Sequence, residues 1–451
     1  MSPSKHDQGS QATRQRRQGA AHISQRSIPS ATKPSTAKTI MAEDMKELEG
    51  FLPNRLPLQW NLPESQLTDD FFAKHYTAIV SDVMLHVGDM FRVGDIPPQG
   101  SIWTIDAGRK DGDLESIVRP IARPSPSDPN PWDDLMACST KRPAVMLAVF
   151  MEIYSRQLFS VQLFGADDKQ RQTLTCQDEQ FIGHEGFRRS KLRATTVRTF
   201  LDETHGLPPH FWAHVDQFAS RVFKLLHPAL TWVRMTWPKN GNNPSIRSVF
   251  QRIHQDTAYA AWFAVNVRMS PAVLEFDWRL PGERYLPDQA ELYPEVYRKH
   301  QREVLERERN KPLTGGVARR GRDDPKPPKR TARVMISVVP RVQRFTLIAG
   351  AEGEKPLGFH KTTLLPPQVV YYQGLDNDQD DAAQFRQGPP KYLSRRNLLM
   401  RALYIPSIIC FVISIVLLVG RLPWFRVFRY GVAVCQAALG GSQLPLSRTS
   451  A

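Results

Sequence analysis

The stretch RPAVMLAVFMEIYSRQLFSVQLFG, residues 142–165, decides between a membrane body and a globular one. From Ala144 to Met151 it is apolar all round, as a bilayer span or a fully buried core helix would be. Glu152 and Arg156 then follow four residues apart, where one helical turn brings their charges together. A charged pair in mid-span is costly in lipid, so the pattern reads as the central helix of a globular bundle. Pro143 suits the first helical position and Gly165 the stop.

Working outward, TDDFFAKHYTAIVSDVMLHVGDMF (68–91) offers Thr68 as N-cap, Asp69 and Asp70 in the first turn, and Phe72, Tyr76, Ile79, Val83, Val87 and Met90 at helical spacing. Residues 93–133 carry seven prolines and read as a long irregular loop. Helical patterns recur around 187–203, 208–226 and 244–268, and in the second of these Phe211, Val215, Phe218, Val222 and Leu225 mark an inward face. From residue 271 short β-branched and aromatic runs take over. Leu274, Phe276 and Trp278 alternate, as do Val334, Ile336 and Val338, which predicts one small sheet interrupted by a charged helix over 288–309.

The fold class is therefore α+β, a predominantly α-helical body with a small β-sheet near the C-terminal part, plus one C-terminal transmembrane helix. Its organisation is a disordered basic N-terminal region (1–60), a helical body (61–270), a β-containing segment (271–375) with a disordered basic loop near 310–331, an acidic then basic linker (376–401), a transmembrane helix (402–420) and a short tail (421–451), partly interfacial. The first segment lacks the apolar h-region of a secretory signal, and its Arg/Ser-rich, acid-poor character leaves a mitochondrial transit reading open.

The span ALYIPSIICFVISIVLLVG (402–420) has nineteen uncharged residues between Arg401 and Arg421. Ile405, Ile408, Ile409, Phe411, Val412, Ile413, Ile415, Val416, Leu417, Leu418 and Val419, with Leu403, contribute roughly −4 to −7 kcal/mol toward insertion. Tyr404 and Trp424 stand about 30 Å apart on a helix, the thickness of the hydrocarbon core, so both reach an interface. Arg426 and Arg429 disfavour a second span. Basic residues are nearly even on the two flanks. The missing N-terminal signal then points to a single-pass protein with a cytosolic body.

The net charge of +15 is unevenly placed. Residues 1–42, 298–333 and 382–430 carry +6, +8 and +8, so the remainder is near −7 and the folded part is mildly acidic. Four cysteines without paired spacing suggest neither a disulfide framework nor a zinc site. No phosphate loop, dinucleotide fingerprint, nucleophile elbow, zincin or kinase signature occurs.

Three constellations invite chemistry. His210 and His214 lie four apart on a helix with His205, His227 and Asp216 nearby, but no third ligand has metal-site spacing. DNDQDD (376–381) lacks the glycine and terminal glutamate of a calcium loop and reads as a solvated acidic linker. The loop ARRGRDDPKPPKR has no interleaved aromatics for base stacking.

The runs SPAVLEFDW (270–278), ARVMISVVPRVQRF (332–345) and VVYYQG (369–374) resemble an uncharacterised family of predicted proteins from filamentous fungi. That resemblance covers about residues 60–375 and implies a helical body closed by a β segment; it brings no activity, cofactor or catalytic residue. The resulting expectation is a membrane-tethered interaction or scaffold protein without enzymatic activity or cofactor, whose partners are the lipid bilayer and a protein. The alternatives are a hydrolase or lipid-handling enzyme using the His210/His214 helix, and a nucleic-acid binder using the basic loops, with nucleic acid disfavoured.

Overall fold

The computed structural model describes residues 34–91, 94–95, 101–106, 114–125, 130–183, 186–236, 244–310, 329–348 and 358–384. Residues 402–420, the tail beyond them, most of the linker before them and the core of the basic loop lie outside the described residues. Among the described residues no helix is long and apolar enough to cross a membrane.

The chain begins with α1 (Pro34–Glu47), then α2 (Asp69–Phe91), α3 (Ile102–Asp106), α4 (Leu114–Ile121), α5 (Pro131–Ala137) and α6 (Lys141–Tyr154). There follow α7 (Asp168–Gln180), α8 (Gly186–Asp202), α9 (Phe211–Thr236), α10 (Ile246–Met269), β1 (Val273–Asp277), β2 (Ala290–Glu291), α11 (Pro294–Arg309), β3 (Arg330–Val339), β4 (Arg341–Ile348), β5 (Gly358–Leu365), β6 (Gln368–Leu375) and α12 (Asp378–Gln384). The body is α-rich, with small three-stranded sheets in its C-terminal half.

Helix α6 is the axis. Every residue from Arg142 to Tyr154 is buried, against α2, α4 and α5 on one side and β3 on another. The all-round apolar pattern therefore marks a core helix. Its one deep cation, Arg142, donates from Nε to the Phe91 carbonyl at 2.6 Å and from Nη1 to the Met136 carbonyl at 2.8 Å. Both acceptors lie at helix C-termini, where carbonyls lack intrahelical partners and the helix dipole is negative. Burial lowers the Arg142 pKa to about 10, still well above neutral pH.

Helix α2 follows its periodicity: Thr68 Oγ1 accepts from the Phe71 amide, and Phe72, Tyr76, Ile79, Val83, Val87 and Met90 are all buried. On α9, Leu226 is buried deeper than the expected Leu225.

Several expectations need correction. Residues 34–60, read as disordered, include α1, whose Asp44 is buried against His227 at 2.9 Å and Arg234 at 2.5 Å. Its partners stand far along the chain, so composition alone hid the order. The proline-rich region 93–133 contains α3, α4 and the start of α5; prolines sit at the first turn of α5 and near the end of α4. The expected single sheet is two, ordered β1-β4-β5 and β2-β6-β3. Pro340 lies between β3 and β4, and its missing N–H breaks the ladder where the strands change sheets. A register shift between Val334 and Ile336 also ends the simple alternation: Val334 packs with Val369 and Tyr371 in a small separate cluster, whereas Ile336 and Val338 join the main core.

Candidate functional site

A cleft of about 470 Å³ opens where the chain leaves α6. Helix α6 passes into a π-helical turn, Ser155–Phe159, a geometry that is rare and concentrated at functional sites. The chain then runs irregularly to Gly165, so the helix expected to reach that glycine ends at Tyr154 instead. Gly165 has φ of 78°, and a Cβ there would stand 2.7 Å from the Phe211 backbone. The glycine is needed for this close approach. Its carbonyl accepts from the His210 amide at 2.9 Å, which fastens the irregular segment to the start of α9.

Two helices form the walls. From α7, capped by a reciprocal Asp167–Gln170 box, come Arg171 and Thr175; from α9 come His214, Gln217 and Arg221. Phe164 and Phe218 supply apolar floor, with the Phe164 ring 5.8 Å from that of His214. The Arg221 guanidinium lies 5.2 Å above the Phe218 ring. Arg171 donates to the Ala166 carbonyl at 3.3 Å and faces an exposed carboxylate, Asp168, at 3.4 Å, a pairing that contributes little in solvent. No carboxylate lines the cleft among the described residues.

His214 is held below the ordinary imidazole pKa, first by burial and then by Arg171, His210 and Arg221. At neutral pH the ring is therefore uncharged, beside two permanent cations. The arrangement offers guanidinium, imidazole, amide and hydroxyl donors to one space. An anion entering it would gain charge-assisted hydrogen bonds and raise the His214 pKa.

The sequence-derived constellations divide. His210 is exposed at the head of α9, with its ring 6.0 Å from that of His214 one turn on. His227 is bound instead to Asp44, and Asp216 to the buried His254 at 2.8 Å. Among the described residues no group of three or more His, Cys, Asp and Glu could hold a metal ion. The acidic run 376–381 is a further correction, because Asp381 is fully buried and accepts from Tyr372 Oη at 2.8 Å and the Leu375 amide at 3.0 Å. Asp378 binds Arg333 at 2.7 Å. These carboxylates close α12 onto the sheet. Trp103, Trp232, Trp262, Tyr371 and Tyr372 are buried in the core. The membrane-span and interface residues, Tyr404, Trp424, Arg401 and Arg421 among them, lie outside the described residues.

Arg171 and Arg221 were invisible as site residues in the sequence. Each is one arginine among many, and only the π turn and the Gly165 contact bring their helices together. The fold and the cleft together define an α+β body with a cleft lined by two arginines and a histidine. No family model, curated protein or solved structure matches the chain.

Proposed function

We infer that the chain is a membrane-tethered interaction protein whose body receives an anionic group, a phosphate or carboxylate, from a protein partner. The observation that carries this reading is the lining of the cleft: Arg171, Arg221 and His214 converge there with neutral polar groups and no carboxylate among the described residues. The tether is the uncharged run 402–420 between Arg401 and Arg421, whose composition supports a single-pass arrangement. The function is binding rather than turnover.

Titrating the protein with inorganic phosphate, then with an acidic phosphopeptide, while following the His214 ring by NMR tests the cleft. The ring signals should shift and the His214 pKa should rise. Arg221→Glu should weaken binding at least about tenfold, because a charge-assisted hydrogen bond contributes about 1.5–3 kcal/mol. A ring that responds to neither ligand would defeat the cleft reading. Release of the intact chain from membranes by alkaline carbonate would defeat the tether, and a chain ending before Ala402 should be soluble if the tether holds.

A further inference from the structure

A second basic pocket, about 220 Å³, lies between the first turns of α8, the end of α10 and the start of β1. Arg189, Arg193 and Arg268 line it together. Arg268 is anchored by the carbonyls of Val161 at 2.7 Å and Phe159 at 2.6 Å, and Arg193 by Asp178 at 2.8 and 3.0 Å. The Nε atoms of Arg189 and Arg193 are buried with no hydrogen-bond partner. Three guanidinium groups thus share one paired carboxylate, and burial makes the excess positive charge costly unless an anion enters.

An apolar ridge borders this pocket. The antiparallel register sets Val273 opposite Phe345 and Phe345 opposite Lys361, with Leu347 opposite Phe359 two residues on, so these side chains share one face of the sheet. Val273 also lines the arginine pocket. Phe359 is 57% exposed and Leu347 41%. The Phe187 ring, at the start of α8, stands 6.1 Å from Phe359, which stands 5.8 Å from Phe345; the Lys361 ammonium sits 5.4 Å from the Phe345 centroid. Lys191, one turn beyond Phe187, extends the cationic border.

We propose that this ridge and pocket dock onto an anionic phospholipid surface, with a headgroup phosphate entering between Arg189, Arg193 and Arg268 while Phe359 and Leu347 enter the acyl boundary. Exposed aromatic and aliphatic side chains beside cations are the composition that binds an interface, and bidentate guanidinium groups suit phosphate. The surface stands independently of the 402–420 span. A tether would only raise the local concentration of lipid.

The test uses the full chain with its four cysteines replaced by serine and an environment-sensitive dye at Leu347→Cys, mixed with vesicles of phosphatidylcholine alone or with added phosphatidylserine. A second labelled chain carries Leu85→Cys, exposed on α2 and not one of the ridge residues. Lipid-borne nitroxide should quench the dye at 347 on phosphatidylserine vesicles and leave that at 85 unchanged. Arg189→Glu, and separately the exposed Lys361→Glu, should each weaken this quenching at least about fivefold, with unchanged circular dichroism. No quenching at 347, equal quenching on both vesicle types, or indifference to both charge reversals would overturn the proposal. So would binding of inorganic phosphate without lipid contact. If the tether alone is wrong, carbonate strips the chain from vesicles while quenching at 347 persists.

Discussion

Replacing Arg142 by methionine removes the cation at the centre of the fold while nearly conserving its length. Arg142 is fully buried; its bonds to the Phe91 and Met136 carbonyls are 2.6 and 2.8 Å, with longer ones to Ala137 at 3.3 Å and Gly94 at 3.5 Å. Hydrogen bonds to a charged group contribute about 1.5–3 kcal/mol each, so the two short ones represent about 3–6 kcal/mol. Against this, methionine relieves the cost of holding a buried charge. It also leaves the carbonyls at the ends of α2 and α5 without a donor, at about 1–3 kcal/mol for each buried group. The helix-end carbonyls decide the sign, and the expected net loss is about 3–5 kcal/mol. That is a large share of the roughly 5–15 kcal/mol typical of folded proteins. Urea unfolding followed by circular dichroism measures it. Arg142→Lys, which keeps the charge but loses the planar fork, should fall between parent and methionine variant. A methionine variant within about 1 kcal/mol of the parent would refute the reasoning, since the clamp would then contribute no net stability.

Gly165→Ala should cost at least about 1–2 kcal/mol from the left-handed backbone alone, and more from the contact with Phe211; the His214 ring should shift in NMR spectra, and an unchanged melting temperature would contradict the geometry. Asp381→Ala leaves Tyr372 Oη and the Leu375 amide without their acceptor and removes the carboxylate that Arg123 and Arg333 face at 3.0 and 3.7 Å, and should cost about 3–5 kcal/mol; protease susceptibility near α12 should rise with it. His86 and Asp256, 2.7 Å apart, give a pH test. The hydrogen bond to Asp256 raises the His86 pKa above 6.5, and burial raises that of Asp256 above 3.8. A raised histidine contributes stability that is full below pH 6.5 and is lost as pH climbs through its folded value, and a raised carboxyl works in the same direction. The stability that His86 contributes, read as the melting temperature of the parent minus that of His86→Gln, should therefore fall between about pH 6 and pH 8. An equal slope in the variant would place the titration elsewhere.

The helices were most legible where one face had a long, regular apolar spacing. Phe72 to Met90 on α2 repeats at helical intervals and all of it is buried, because a helix of that length has only one way to hide such a stripe. The strands were legible as strands but not as two sheets, since the partner of β4 depends on where Pro340 turns the chain. Helix α1 was missed because its order comes from Asp44 meeting His227, 183 residues away. His214 was singled out for a neighbouring histidine and Asp216; in the structure its relevant neighbours are Arg171 and Arg221.

By itself, the sequence determined the character of α6 and α2, the change to β structure after residue 271, the placing of charge along the chain, and the presence of a nineteen-residue uncharged run. These are properties of local composition and period, written in consecutive residues. Only the tertiary structure decided which cations share a space. The arginines of both basic pockets come from helices well separated along the chain, and their electrostatics depend on distances through the fold rather than on order in the chain.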